Sequence, residues 1–337
     1  MCLFVISATS FYYCRPVRYG SEGKETVKSN AIINAIFYTL KPFIPRFLQI
    51  SARRAIASRK LQKCEKVWPI DARAAKAPDG WKGWPEKKKF ALVLIHDVDT
   101  AKGQDQCVRL MEIEKQLGFR SSFNFVPERY LVKKNIHEIL AANDFEVGVH
   151  GLKHDGKLFV SRKLFDLQAP RINRYLEEWG VRGFSSPSML RNLDWMLDLN
   201  IGFSTSSFDT DPFEPQPEGM GTIFPFWVGA PSNGKGFIEL PYTLVQDFTL
   251  FVIMREKTID VWKRKIDWIA AHGGMALVNT HPDYMNFSDK KCTSEEYPVE
   301  RYKKFLHYVS TAYQGQFWHS VPSEIAKFWK REVLKTG

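Results

Sequence analysis

No Cys-x-x-Cys pair occurs in this chain of 337 residues, and its five cysteines, Cys2, Cys14, Cys64, Cys107 and Cys292, are scattered and odd in number. That spacing argues against a disulfide framework and against a thiolate zinc site. There is no internal repeat and no low-complexity tract, which sets aside solenoids and disordered arrays. No apolar run reaches the roughly 17 to 25 residues that a spanning helix needs. The apolar opening Met1–Cys14 has neither a preceding basic region nor a small-residue cleavage signal, so it does not read as a secretory leader. A reducing cytoplasm is the compartment these absences suggest. The body also lacks surplus positive charge: residues 91 to 337 hold 30 Lys and Arg against 31 Asp and Glu (net −1), whereas residues 1 to 90 hold 18 against 6 (net +12). A nucleic-acid binder needs its cations along the contact face, so nucleic acid is not an expected partner.

What is present is enough apolar residue for a core, 44% hydrophobic with 14% aromatic, and a basic N-terminal extension. Within the extension Ser29–Leu40 is uncharged, and Ile33, Ile36, Phe37, Leu40, Ile44 and Phe47 fall near helical spacing, interrupted by Pro42 and Pro45. The cations Arg53, Arg54, Arg59, Lys60 and Lys63 follow. Two readings stay open: a helix packed on the body with a solvated basic face, or an apolar face beside cations lying on the inner surface of an anionic membrane. Residues 72 to 89, rich in Lys, Pro, Gly and Trp, read as a linker. The expected division is therefore an extension and linker over 1–89 and a single large unit over 90–337.

The larger unit alternates. Strands are expected at Phe90–His96, Ser121–Val126, Phe145–Val149, Arg182–Ser185, Gly202–Ser206, Gly236–Pro241 and Met275–Thr280. Helical stretches fall between many of them, at Asp105–Leu117, Lys134–Ala142, Arg191–Leu199 and Ile259–Ala271. Short apolar strands separated by helices imply a parallel sheet, and this many units suggest an α/β barrel. In such a barrel the chemistry sits where strands end. Three polar clusters occupy strand ends: His96-Asp97-Val98-Asp99, His150-x-x-x-His154 and Asn279-Thr280-His281-Pro282-Asp283.

Asp99, His150 and His154 together offer a divalent ion two imidazole nitrogens and one carboxylate, leaving positions for water and substrate as a catalytic zinc requires. Such an ion lowers the pKa of a water on it and polarises a carbonyl. Asp97, two residues before Asp99 on the same strand end, is placed to take a proton from that water, and His281 to protonate a departing group. His96 reads as a strand-end side chain or a fourth ligand, and Asp155 as a partner that orients His154.

With these residues in place, the chain over most of 90–330 resembles the polysaccharide deacetylase family, carbohydrate esterase family 4. The ordered set carries the resemblance: an Asp-x-Asp element at Asp97 and Asp99, His-x-x-x-His at His150 and His154, and Leu277-Val278-Asn279-Thr280-His281. The tracts from Ser206 to Pro215, Glu239-Leu240-Pro241-Tyr242 and Thr280-His281-Pro282-Asp283-Tyr284 look like a bacterial branch. The resemblance implies a distorted seven-stranded (β/α) barrel, here with a basic N-terminal helical extension. It implies Asp97 as base, Asp99, His150 and His154 as ligands of zinc (or of cobalt or nickel), and His281 as acid, with a metal-bound water as nucleophile toward an acetylated sugar or polysaccharide. One position departs from the pattern. The family's Arg-x-Pro element becomes Ser185-Ser186-Pro187, and a serine cannot supply a bidentate cationic clamp. Two functions follow: metal-dependent removal of acetyl groups, as amide or ester, or a catalytically impaired barrel that keeps the metal and the saccharide. Asp209, Asp211 and Asp283 are candidates to tune His281 or to bind sugar hydroxyls, and Trp227, Tyr242 and Trp268 to stack on a sugar face.

Overall fold

The longest strand, Phe90–Val98 (β1), buries all nine of its residues. An uninterrupted aliphatic run of this kind belongs at the centre of a parallel sheet covered on both faces. One edge of β1 pairs with Met275–Thr280 (β8) over six positions. The other edge pairs first with Phe317–His319 (β11) and then with Ser122–Phe125 (β2). From there the sheet runs through Glu146–His150 (β3), Gly183–Ser185 (β4), Phe203–Ser204 (β5) and Lys235–Glu239 (β7), every pairing parallel, and ends in Phe226–Ala230 (β6), antiparallel to β7. The sheet curls until its far side returns: Leu244, past the end of β7, bridges Val278 of β8, and the amides of Thr243 and Leu244 both reach Leu277 O. The seven expected strands are β1, β2, β3, β4, β5, β7 and β8, and the expected barrel is the observed architecture. Strands β6 and β11, and the short pair Met285–Asn286 (β9) with Tyr297–Pro298 (β10), were not foreseen.

This computed structural model describes residues 45–64, 66–216, 218–230 and 235–334. The apolar stretches Met1–Cys14 and Ser29–Leu40 lie outside the described residues. The helices are Arg46–Cys64 (α1), Ala101–Gln116 (α2), Lys134–Ala142 (α3), Arg162–Glu178 (α4), Asp260–His272 (α5), Glu300–Ala312 (α6) and Pro322–Leu334 (α7). Of the expected helices, α2, α3 and α5 are present, but Arg191–Leu199 is not one. Only the short 3-10 turn Trp195–Asp198 forms there. Asn192 accepts from the Trp195 amide and the Arg191 guanidinium bonds Met189 O. Such side-chain to backbone bonds offer the chain an alternative to the helical ladder.

The basic segment before β1 joins the same packing. On α1, Ile50 and Ala57 are buried in the main core, while Arg54 donates to Val252 O and Ser294 O and Lys60 to Pro212 O. Trp84, within the stretch that reads as a linker, is 3% exposed and donates to Gly273 O at 2.8 Å. Its neighbour Trp81 packs on Trp329 of α7, ring centres 4.6 Å apart. Burial of one such aromatic is worth roughly 1.5–3 kcal/mol, so this segment contributes to the body's stability. No helix among the described residues is long and apolar enough to cross a membrane.

Candidate metal centre and hydrolytic site

Successive side chains of a strand point to opposite faces, and at the end of β1 this separates two groups that are adjacent in sequence. His96 turns outward into a fully buried network, its Nδ1 at 2.7 Å from Thr280 Oγ1 and its Nε2 at 2.9 Å from Glu114 Oε1 of α2. It is therefore a structural side chain and not a fourth ligand. Asp97 turns inward, where three neutral donors hold it: Asn124 of β2 at 3.0 Å on Oδ1, with Asn279 of β8 at 2.7 Å and Ser185 of β4 at 3.2 Å on Oδ2. Gly148 of β3 makes room for this arrangement, because a Cβ there would lie 2.2 Å from Asn124 Oδ1. The serine that replaces the expected arginine thus still contacts the carboxylate. Arg182 bonds Asn200 O and Arg191 bonds Met189 O, so neither guanidinium substitutes for the missing cation.

Asp99 follows at the mouth, with His150 Nε2 3.5 Å and His154 Nε2 3.0 Å from its Oδ1. One ligand atom from each of the three lies within 4.8 Å of the others. His150 is oriented from behind, its Nδ1 3.2 Å from Ser185 O, which leaves Nε2 to face Asp99. The loop between the histidines is shaped by left-handed backbone at Gly151 and His154, and a Cβ on Gly151 would lie 2.5 Å from Pro187. Asp155 does not orient His154; it accepts from the Lys157 amide. Burial would raise the Asp99 carboxyl, but His154 and His150 outweigh it and hold it well below the usual carboxylate range. Asp99 Oδ1 is buried without an aligned hydrogen-bond donor. A buried carboxylate oxygen of this kind facing two imidazoles, with a nitrogen of one set by a carbonyl, is the donor set that suits a divalent zinc-like cation.

His281 follows β8. Its Nδ1 lies 2.7 Å from Asp247 Oδ1 and its backbone amide donates to Asp247 Oδ2 at 2.8 Å. Tyr297 donates to the same Oδ2. Burial disfavours the His281 cation, yet Asp247 overrides it and pushes the imidazole up to about 10. The ring is therefore protonated at neutral pH, with Nε2 as its free end. Tyr284 joins this group to Asp99: its ring is 5.3 Å from that of His281 and its hydroxyl 3.5 Å from Asp99 Oδ2.

Of the residues expected to meet sugar, most have uses within the protein. Asp283 accepts from the Asp99 amide at 3.0 Å and from the Thr100 hydroxyl. This fixes the turn that presents Asp99, and burial together with the Asp99 charge pushes the Asp283 carboxyl up to about 6. Asp209 forms a buried ion pair with Lys265 at 2.5 Å. The Tyr242 hydroxyl meets Glu214 at 2.7 Å and Asp211 at 3.2 Å, and burial beside Glu214 pushes Asp211 up to about 7. Trp227 stands against Lys330 of α7, and Trp268 against His272 of its own helix. Asn124 and Asp247 are the residues that sequence reasoning missed, and Asn279 it placed in the third strand-end cluster without a role. Asn124 carried a signal, a polar residue between Phe123 and Phe125 on a strand, and Asp247 carried one as an acid followed by six buried residues, Phe248–Ile253.

No protein-family model matches the chain, and no curated protein matches it. Solved structures do. A protein of Mycobacterium smegmatis assigned as a polysaccharide deacetylase superposes with a TM-score of 0.59 at 15% identity, covering 76% of this chain and 96% of its own. The Puue allantoinase gives 0.56 at 14%, covering 78% and 98%. A protein of Pseudomonas aeruginosa with the same deacetylase assignment gives 0.55 at 14%, covering 74% and 93%. At these identities the likeness establishes the fold: the chain has the barrel of the polysaccharide deacetylases.

Proposed function

We propose that the chain is a metal-dependent hydrolase that removes acetyl groups from a sugar or polysaccharide, from nitrogen in the first instance and otherwise from oxygen. The observation that carries this reading is the convergence of Asp99, His150 and His154 between a held carboxylate, Asp97, and a protonated imidazole, His281. Asp99, His150 and His154 would hold the cation, zinc in the first instance, and when bound it would polarise the acetyl carbonyl and acidify water. Asp97 takes the proton of the attacking water, and its three neutral donors keep it fixed. As the new C–O bond forms and the C–N bond breaks, His281 Nε2 gives its proton to the departing amine and Asp247 stabilises the cationic ring beforehand. Acetate and the free amino sugar are the products.

Ser185 gives the impaired-barrel reading its one specific support, since no cation clamps Asp97. The proposal is tested by acetate release from a panel of N- and O-acetylated sugars with zinc-, cobalt- and nickel-loaded protein. Wild-type protein is expected to turn over and Asp97→Asn to lose most of the rate. Ser185→Ala removes one of three hydrogen bonds to the carboxylate, a bond of the kind worth about 1.5–3 kcal/mol, so a loss of about 10- to 150-fold is expected. Ser185→Arg is expected to be no faster than wild type, because Ser185 is fully buried and Asp97 already meets three donors. Silence of wild-type protein with rescue by Ser185→Arg would instead establish the impaired barrel.

A further inference from the structure

Helix α1 carries six cations, Arg46, Arg53, Arg54, Arg59, Lys60 and Lys63, and no acidic residue. Four are turned to the protein: Arg46 pairs with Glu295, Arg53 stands over the Phe248 ring, Arg54 bonds Val252 O and Ser294 O, and Lys60 bonds Pro212 O. The opposite side is exposed and holds both remaining chemistries. Phe47, Leu48 and Ile56 are 65%, 48% and 55% exposed, and Arg59 and Lys63 are exposed beside them. We infer that this outer face of α1 rests on an anionic lipid bilayer, with Leu48 and Ile56 entering the headgroup boundary, Phe47 at its edge, and Arg59 and Lys63 meeting lipid phosphates.

Charge decides between the available occupants. A second copy of α1 would bring cations against cations. Residues 1–44 of the same chain carry five Lys and Arg against two Asp and Glu, so they offer no anionic complement either. A polyanion such as nucleic acid would satisfy the cations but not three large apolar side chains. A bilayer with acidic headgroups satisfies both. Immediately before α1 in the sequence, residues 29–45 carry a single charge, Lys41.

The protein-facing side of α1 is close to the site. Arg53 stands 4.9 Å over the Phe248 ring, Phe248 packs 4.5 Å from Tyr284, and Tyr284 lies beside His281 and Asp99. A bilayer on the outer face would then lie about one helix diameter, about 10 Å, from the residues at the mouth of the barrel.

The test is co-sedimentation of the full chain with vesicles, which needs no turnover and so stands apart from the hydrolase reading. Binding is expected to vesicles of phosphatidylcholine with about one third phosphatidylglycerol, and not to phosphatidylcholine alone. Phe47→Asp with Leu48→Asp and Ile56→Asp should abolish it. Arg59→Gln with Lys63→Gln should weaken it about 30-fold, each cation near an anionic surface counting for about a factor of five. Retention of wild-type melting temperature and metal content shows that the variants fold. Absence of binding by the wild-type chain overturns the inference. So does wild-type binding by both sets of variants, which would place the contact in residues 1–44 or in a second copy.

Discussion

The His150→Ala variant is expected to lose its divalent metal and its turnover together. His150 is 1% exposed, and its ring is set by Ser185 O so that Nε2 meets Asp99. Removing it deletes one of three ligands and leaves the Asp99 carboxylate buried opposite His154 alone. Altering an outer partner of a ligand costs about 10- to 100-fold in affinity, and deleting a ligand should exceed that. Wild-type protein dialysed against zinc should retain about one ion per chain, and the variant a small fraction of one by elemental analysis. A second readout needs no activity. Zinc at about 100 times its dissociation constant should stabilise wild-type protein by about 2.7 kcal/mol, seen as a rise in melting temperature, whereas the variant should not respond. A variant that kept its ion would mean that Asp99, His150 and His154 are not the ligands.

What could be read without coordinates follows the range of the interactions. The strands were legible because an aliphatic run such as Phe90–Ile95 has few places to go except the middle of a parallel sheet. The His150 and His154 pair was legible because its two members are local, and Asp99 because acids at strand ends face the same mouth. The cradle of Asp97 was not legible, since Asn124, Ser185 and Asn279 come from three strands that only the barrel's closure brings around it. Ser185 is the instructive case. As a motif it is the loss of a cation, while in the fold its hydroxyl remains a donor to Asp97 and its carbonyl orients His150. Carboxylates were over-read toward substrate, as Asp283 supports the Asp99 turn and Asp209 neutralises Lys265. Periodicity cannot separate a carboxylate that faces a ligand from one that satisfies a buried amide or ammonium. Asp247 was hidden for a related reason: the π-helical turn Phe248–Ile253 that it caps is wholly buried and reads in sequence as one more apolar strand.

Asp247→Asn is expected to reduce turnover and to move the alkaline limb of the rate profile toward neutral pH. In the wild-type fold the Asp247 carboxylate pushes His281 up to about 10 against the effect of burial, well above the ordinary imidazole value of about 6.5. A raised folded-state pKa stabilises the fold fully below that ordinary value, and the contribution disappears as pH rises through the folded one. The same sign applies to an acid in catalysis, which is competent only while protonated. A cation bound at Asp99 would pull His281 down from about 10, but the carboxylate's removal lowers it further in either case. The amide keeps the carboxylate's shape but turns its NH2 against a backbone donor, Phe248 N–H or His281 N–H, so a lower melting temperature is expected, and retained metal content checks that the fold persists. His281→Gln should cost about 10²- to 10⁴-fold at every pH, the usual worth of a positioned acid. Asp247→Asn should approach that loss only above neutral pH and recover much of it in acid, where the imidazole is protonated without help. Combining the two should add nothing to His281→Gln alone, because Asp247 acts on the reaction through that ring. An unmoved alkaline limb in Asp247→Asn would remove His281 from the role of acid and leave the departing amine to be protonated by solvent.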